Sequence, residues 1–224
     1  MSPTASKSKN PLLPKDRMKV PRQAMPEQPA YERAHNFEEV NLGYSPELAQ
    51  QEALRCLECA KPTCTDNCPV GIDVKDFVQK VVIGDFLGAA AKIREANVLP
   101  AITGRVCPQE DQCEGKCLLS KKVKPLGIGY LERFVVDYEQ RMGTHVVPHA
   151  EPTGKKVAIV GSGPSGLTVA GDLIQKGHKV RVFEALHEIG GVLSMAFPSS
   201  GYPSRLFASR SSACGRWAWS LRPT

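Results

Sequence analysis

The chain has 224 residues, 42% hydrophobic and 23% charged, with a formal net charge of +6; this is enough for one ordinary domain or two small ones with a real core, and it excludes collagen and disorder throughout. Apolar runs such as Val157 to Val160 are broken by Gly or charge within a few residues, far short of the roughly 20 apolar residues of a membrane helix, so a soluble chain with no membrane partner is expected. The charge sits at the ends: residues 1–30 carry six Lys or Arg against Asp16 and Glu27, residues 194–224 carry four Arg and no acid, and the body between them stands at −2, which leaves no basic face for a nucleic acid.

Residues 1–30 hold six of the eighteen prolines and no periodicity, the composition of a flexible arm without a fold. Lys7, Lys9, Lys15 and Arg17 are followed by neither an apolar segment nor a cleavage site, so no secretory signal is expected and the cytoplasm is the default location. Residues 31–142 read as a helical domain. Ser45 can cap a helix running to about Leu57, Asp73 or Asp76 can start another through Val82, and Phe86 to Ala96 reads as a third. A linker over 143–154 leads into a different pattern. Lys155 to Val160 is a buried-strand run, Pro164 to Lys176 a helix and Lys179 to Glu184 a second strand, which together make a β-α-β unit within 155–193.

Within the helical part Cys56, Cys59, Cys64 and Cys68 form Cys-x2-Cys-x4-Cys-x3-Cys-Pro, and Cys107, Cys113 and Cys117 form Cys-x5-Cys-x3-Cys. Disulfides suit secreted domains, because cytosolic thiols are kept reduced. Structural zinc usually takes two short Cys pairs or Cys/His combinations, and here one short pair stands without a nearby His. Iron–sulfur ligation fits best, since a cubane takes thiolates from a tight loop plus one from afar. Zinc and inert core thiols remain the rival readings at this point. Asp73, Asp76 and Asp85 read as helix-start and surface acids, and His35, His145, His149, His178 and His187 are too scattered for any assigned chemistry.

Cys56-Leu-Glu-Cys59, Cys64, Cys68-Pro-Val-Gly-Ile-Asp73, the run from Leu99 to Pro108, Cys113-Glu-Gly-Lys-Cys117 and Ile128-Gly-Tyr-Leu-Glu-Arg-Phe134 closely resemble the small subunit of NADPH-dependent glutamate synthase. The same module resembles the N-terminal part of dihydropyrimidine dehydrogenase, and the resemblance runs from about Asn36 to Leu193. It implies an all-helical domain with two 4Fe-4S clusters and interleaved ligands. Cys56, Cys59, Cys64 and the distant Cys117 would hold one cluster. Cys68, Cys107 and Cys113 would hold the other, with Glu132 giving an oxygen as fourth ligand. A hard oxygen on a soft cluster is unusual, and the plainer reading of Glu132 is an exposed helix carboxylate.

Val157-Ala-Ile-Val-Gly161-Ser162-Gly163-Pro164-Ser165-Gly166 matches G-x-G-x-x-G between strand and helix, and Glu184 ends the next strand. The first Gly makes the turn, the second admits the pyrophosphate, the third lets helix and strand pack, and the helix N-terminus receives the phosphate charge. Glu184 would accept hydrogen bonds from ribose hydroxyls and repel a 2′-phosphate, so NADP is disfavoured at this loop. Gly190 and Gly191 resemble the second glycine pair of two-dinucleotide-domain flavoproteins, which implies FAD.

The fold expected is therefore α plus α/β: an all-helical iron–sulfur domain, then the first β-α-β unit of a Rossmann-like FAD-binding domain. The resemblance implies an FAD and iron–sulfur oxidoreductase. In it electrons pass from NADPH through FAD and two 4Fe-4S clusters to a glutamate-forming large subunit or similar acceptor, with no catalytic side chain assigned. The rivals are a subunit of ferredoxin:NADP or sulfide type and a cluster-binding fragment without enzyme activity. Residues 194–224 hold eight Ser, four Arg, both Trp and no Lys, Asp or Glu. Codons compatible with Met195 to Ser204 spell, in a shifted frame, the Gly-Ile-Pro-Glu-Phe-Arg-Leu-Pro-Lys with which the family would continue. An out-of-frame tail after Leu193 and a truncated chain are the expectation.

Overall fold

The computed structural model describes residues 10–143, 150–186 and 189–195. Among them the chain forms two compact units, one of residues 10–27 and 41–143, the other of residues 28–40 and those from 150 onward. The out-of-frame reading of the tail rests on residues 196–224, and His145, His149 and His187 also lie outside the described residues.

The chain opens with a single turn, α1 (Pro14–Arg17), followed in the second unit by another, α2 (Ala30–Arg33). The helical unit continues through α3 (Pro46–Ala53), α4 (Thr63–Asp66), α5 (Val74–Val82), α6 (Phe86–Arg94), α7 (Pro100–Val106), a 3-10 turn at Leu118–Lys121 and α8 (Ile128–Met142). Its helix starts follow side-chain chemistry. Ser45 Oγ accepts from Leu48 N at 3.3 Å, Asp73 Oδ1 from Asp76 N at 3.1 Å and Asp85 Oδ1 from Gly88 N at 2.9 Å, each satisfying one of the free N–H groups of a first turn. Pro46 and Pro100 occupy the first positions of α3 and α7, where no amide hydrogen is needed. The helix ends come earlier than the sequence suggests, at Ala53 instead of Leu57 and at Arg94 instead of Ala96.

The core lies where α5, α6 and α7 pack on α8. Phe77, Val78, Val81, Ala89, Ala90, Ile93, Leu131 and Val135 are fully buried there, and Phe86 meets Phe134 edge-on at 5.0 Å between ring centroids. A Cβ on Gly104 would lie 2.9 Å from the Arg133 nitrogen, so glycine lets α7 and α8 touch backbone to backbone. That contact brings the side chains of Thr103 and Glu132 together.

Residues 10–27 correct the expectation of a flexible arm. Arg17 is 3% exposed and donates to the carbonyls of Leu12 and Cys56. Asn10 donates to the Leu54 carbonyl at 2.9 Å, and the Gln23 amide donates to Glu52 Oε2 at 2.8 Å. The segment lacks periodicity because polar side chains anchor it, where a hydrophobic face would have left a helical or strand pattern.

In the second unit β1 (Lys156–Val160), α9 (Pro164–Gln175) and β2 (Lys179–Phe183) form a parallel pair joined by a crossover helix, with Lys156 opposite Lys179 and Val160 opposite Phe183. Ile159, Ala170 and Val182 make its small core. A last turn, α10, spans Val192–Met195. Residues 150–154, expected as linker, are tied to the loop after α9: Ala150 N donates to Gln175 O at 2.9 Å and Thr153 N to Gly177 O at 3.0 Å.

Candidate functional site

Of the seven cysteines of the helical unit, six sit in the connections between its helices and one in a single-turn helix. Cys56 and Cys59 follow α3; Cys64 lies in the single turn of α4 and Cys68 just beyond it. Cys107 caps the C-terminus of α7 and Cys117 precedes the 3-10 turn. In between, the Gln109 carbonyl accepts from the amides of Glu114 and Gly115 at 2.9 and 3.2 Å, a tight turn that presents Cys113. Thr63 Oγ1 donates to the Lys116 carbonyl at 2.6 Å, which draws α4 against the segment carrying Cys117.

The electrostatics of these thiols fall into two sets. Burial pushes Cys56 up to about 12, the backbone of Glu58 partly offsets this, and Cys64, Cys117 and Cys59 push it further. Burial likewise raises Cys64 to about 11, with Cys117 and Cys59 adding to it, and raises Cys59, where Cys117 adds to it. In the other set burial lifts Cys113 to about 12, with Glu114, Glu132 and Cys68 opposing its ionisation. Cys107 is raised by burial, then by Glu132 and Cys68. None of the opposing groups just named crosses from one set to the other. Thiolates that repel one another in a low-dielectric setting need a cationic centre to hold them ionised, and iron or zinc would supply it. Among the described residues no three His, Cys, Asp or Glu converge on a point that would hold one metal ion. Cubane ligands, one to each iron corner, need no such point.

Glu132 is 7% exposed on α8, which corrects the plainer expectation of an exposed carboxylate. Its Oε1 accepts from Thr103 Oγ1 at 2.6 Å and Asn97 Nδ2 at 3.3 Å. Desolvation raises its pKa to about 7 against the lowering effect of those two donors. Neither Thr103 nor Asn97 was expected at the site. The signal for Thr103 was present in the run Leu99 to Pro108, because a hydroxyl one turn ahead of Cys107 on a short helix faces the same way as the Cys107 end.

Below this region a buried ion pair holds the loops together. Glu52 and Arg55 are 0% and 1% exposed. Arg55 Nη1 donates to Glu52 Oε1 at 2.6 Å, and its guanidinium also reaches the carbonyls of Val20, Lys124 and Pro125. Gly127 N donates to Glu52 Oε1 at 2.8 Å. Arg22 adds a bond to Glu114 Oε2 at 2.8 Å while stacking over Tyr130. Arg17, Arg22, Glu52 and Arg55 carry no motif, and sequence reasoning missed them.

In the second unit the loop Gly161-Ser162-Gly163 joins β1 to α9. Gly161 has φ +90°, open to glycine and costly for other residues. A Cβ on Gly166 would strike the Gly161 carbonyl oxygen, so the third glycine is required for helix and loop to meet. Pro164 and Ser165 form the first turn of α9. Glu184 stands just past β2. Its Oε2 accepts from the Ser162 amide at 2.8 Å and from the Ser162 hydroxyl, and its Oε1 from Leu186 N at 3.0 Å. Hydrogen bonds, the Ser162 hydroxyl foremost, hold the carboxyl near 2. Ser162 Oγ in turn accepts from Gly190 N at 2.9 Å, and a Cβ on Gly191 would lie 3.1 Å from Gly163 Cα. Every residue assigned to the dinucleotide site is thereby gathered around one loop, with Ser162 as its hub.

Two family models match the chain. One, described as dihydropyrimidine dehydrogenase domain II, 4Fe-4S cluster, covers residues 33–144, half of the chain. The other, a NAD(P)-binding Rossmann-like domain, covers residues 159–211 and so runs past Leu193. Among similar proteins, the glutamate synthase [NADPH] small chain of Halomonas elongata is 39% identical over 180 residues, 80% of this chain and 38% of that protein. The NAD-dependent dihydropyrimidine dehydrogenase subunit PreT of Salmonella typhimurium is 37% identical over 167 residues, 75% of this chain and 40% of that protein. The Escherichia coli glutamate synthase small chain is 37% identical over 175 residues, 78% and 37% respectively. The chain thus spans about two-fifths of the length of these relatives. No described helix is long and apolar enough to cross a membrane.

Proposed function

Because the chain belongs to the family of dihydropyrimidine dehydrogenase domain II, 4Fe-4S cluster, an oxidoreductase family whose model it matches over residues 33–144, we propose that it is an electron-transfer protein of the glutamate synthase small-chain type. It carries two 4Fe-4S clusters and FAD, takes electrons that originate in NADPH and passes them to a glutamate-forming large subunit. Bound, the flavin exchanges paired electrons for single ones and the clusters carry them one at a time.

The observation that carries this reading is the placement of the buried thiols: the charges that oppose ionisation of Cys56, Cys59 and Cys64 come from one another and from Cys117, and those that oppose Cys107 and Cys113 come from Cys68 and Glu132, with Glu114 beside Cys113. Cys56, Cys59, Cys64 and Cys117 would hold one cluster; Cys68, Cys107 and Cys113, with Glu132, the other. The first set draws from two separate stretches of chain and the second from three, as interleaved ligation requires. The chain's own residues then exclude water from the thiolates by burial, and Thr103 and Asn97 orient the Glu132 carboxylate. In the second unit the Gly161–Gly166 loop offers backbone N–H groups to a pyrophosphate. Glu184, anchored by Ser162, would present its negative charge to ribose hydroxyls. The Gly190–Gly191 pair, with the Gly190 amide donating to Ser162 Oγ and Gly191 packed on Gly163, supports FAD at this loop through its resemblance to flavoproteins, NADPH binding elsewhere in a full-length relative.

The relatives named as dihydropyrimidine dehydrogenase subunits match about as well as the glutamate synthase chains, and they favour a second reading with a different acceptor. Metal analysis tests what both readings share. Anaerobically reconstituted protein should contain about eight iron and eight acid-labile sulfide per chain, two cubanes. Four iron, or stoichiometric zinc, would sink the two-cluster reading. Reduction of a purified large subunit, scored by glutamate formation, separates the acceptors.

A further inference from the structure

The loop Cys56-Leu57-Glu58-Cys59 holds a buried charge pair that the functional reading leaves unused. Glu58 adopts φ +54°, the only non-glycine residue with positive φ among those described, and its side chain is 9% exposed. Its Oε2 lies 3.2 Å from Arg17 Nη1, whose side chain is 4% exposed. Its Oε1 is buried with no hydrogen-bond partner. The same Arg17 Nη1 donates to the Cys56 carbonyl at 2.9 Å, and Arg17 Nε donates to the Leu12 carbonyl at 2.8 Å. On the other side of the loop Lys75 Nζ lies 3.3 Å from the Cys59 carbonyl.

A left-handed backbone on a charged, buried residue is costly, and so is an unpartnered carboxylate oxygen. A buried pair of this kind gains little stability over an apolar replacement. Anchoring the N-terminal segment accounts for Arg17 and its carbonyl bonds, but gives no reason for the carboxylate of Glu58. Its position does. Arg17 reaches the first ligand of the set through the Cys56 carbonyl, and it reaches the residue between the two loop ligands through Glu58. Reducing a cluster adds negative charge, and cluster potentials respond to net charge and hydrogen bonding close by.

Resting on the two-cluster reading, we propose that Arg17 is a positioning residue for the cluster of Cys56, Cys59, Cys64 and Cys117. From the N-terminal segment it clamps the Cys56–Cys59 loop through Glu58 and the Cys56 carbonyl, and its buried positive charge stabilises the reduced cluster. Residues 10–18 are by this reading part of the metal site. Glu58 opposes Arg17 in charge while sharing its structural role. Removing one or the other should shift the potential of the same cluster in opposite directions.

The test is EPR-monitored redox titration of the reconstituted chain with iron and sulfide analysis of each variant. Arg17→Gln should make one of the two signals harder to reduce, with the reduced-to-oxidised ratio at fixed potential falling about tenfold, equivalent to about 59 mV for one electron. The other signal should not move. Arg17→Lys should restore most of the shift, and Glu58→Gln should move the same signal the opposite way. If Arg17→Gln does not fold, the Lys and Glu58 variants carry the test. Equal potentials across all variants with eight iron retained, or shifts of the same sign for Arg17→Gln and Glu58→Gln, overturn the proposal. Wild-type protein that takes up no clusters overturns the two-cluster reading itself, which the iron analysis reveals before any titration.

Discussion

Glu132 shows how little side-chain identity says about an acid until its surroundings are known. By residue type it is one of three acids on α8, singled out in the sequence only by the family resemblance; in the structure it is buried, accepts from two donors and has its pKa raised to about 7. Burial of a carboxylate without a cation is unfavourable, and a metal beside Cys107 and Cys113 would relieve it. Replacing Glu132 by Ala should change the EPR line shape of the cluster held by Cys68, Cys107 and Cys113 and leave the other signal as it was. An unchanged spectrum would return the residue to a structural role. The Glu52–Arg55 pair is the purely structural counterpart. Its removal is expected to lower stability without altering either signal: Glu52→Ala strands Arg55 and two backbone amides, at a cost of about 3–5 kcal/mol. With a urea slope of roughly 1–3 kcal/mol/M, the unfolding midpoint followed by helical circular dichroism should fall by about 1 M or more.

At the scale of elements, the β-α-β unit was the most legible part of the chain, and its boundaries moved by a residue or so. A run of alternating strand, glycine turn and amphipathic helix is fixed by local chemistry, which sequence displays. The helices capped by Ser45, Asp73 and Asp85 were legible for the same reason. The early ends of α3 and α6 were not: just past α3 Arg55 is tied to the carbonyls of Val20 and Pro125, and Arg94, the last residue of α6, is held by Glu139 of α8, partners far away in sequence. The docked segment of residues 10–27 was hidden likewise: Asn10, Arg17 and Gln23 bind backbone and acids far away in sequence, and no window of sequence reveals that. Gly166 offers the test at this scale. A methyl group there meets the Gly161 carbonyl and forces α9 from the loop, a strain of about 1–3 kcal/mol. Gly166→Ala should lower flavin retention, read from absorbance per protein, at least tenfold while iron content holds. Full retention would mean that the loop does not bind the cofactor.

For the molecule as a whole, the two proposed sets of ligands matter more for their threading than for their number. Cys64 and Cys68 belong to different sets, as do Cys113 and Cys117. Two clusters held this way would pin the α4 segment to the chain after α7 at both ends, so their loss should be felt through the helical unit. Stripping iron with a chelator under anaerobic conditions should abolish the cooperative thermal transition of the helical signal; a melt unchanged after iron removal would show that ligation does not support the fold. The threading has another consequence. Members of opposite sets are four residues apart in both places, so a short stretch of backbone would join the two redox centres at two points. Electrons would then have a short covalent path from one centre to the other. To an acceptor arriving at the surface, the pair would behave as one two-electron reservoir, with its charge already shared before contact is made.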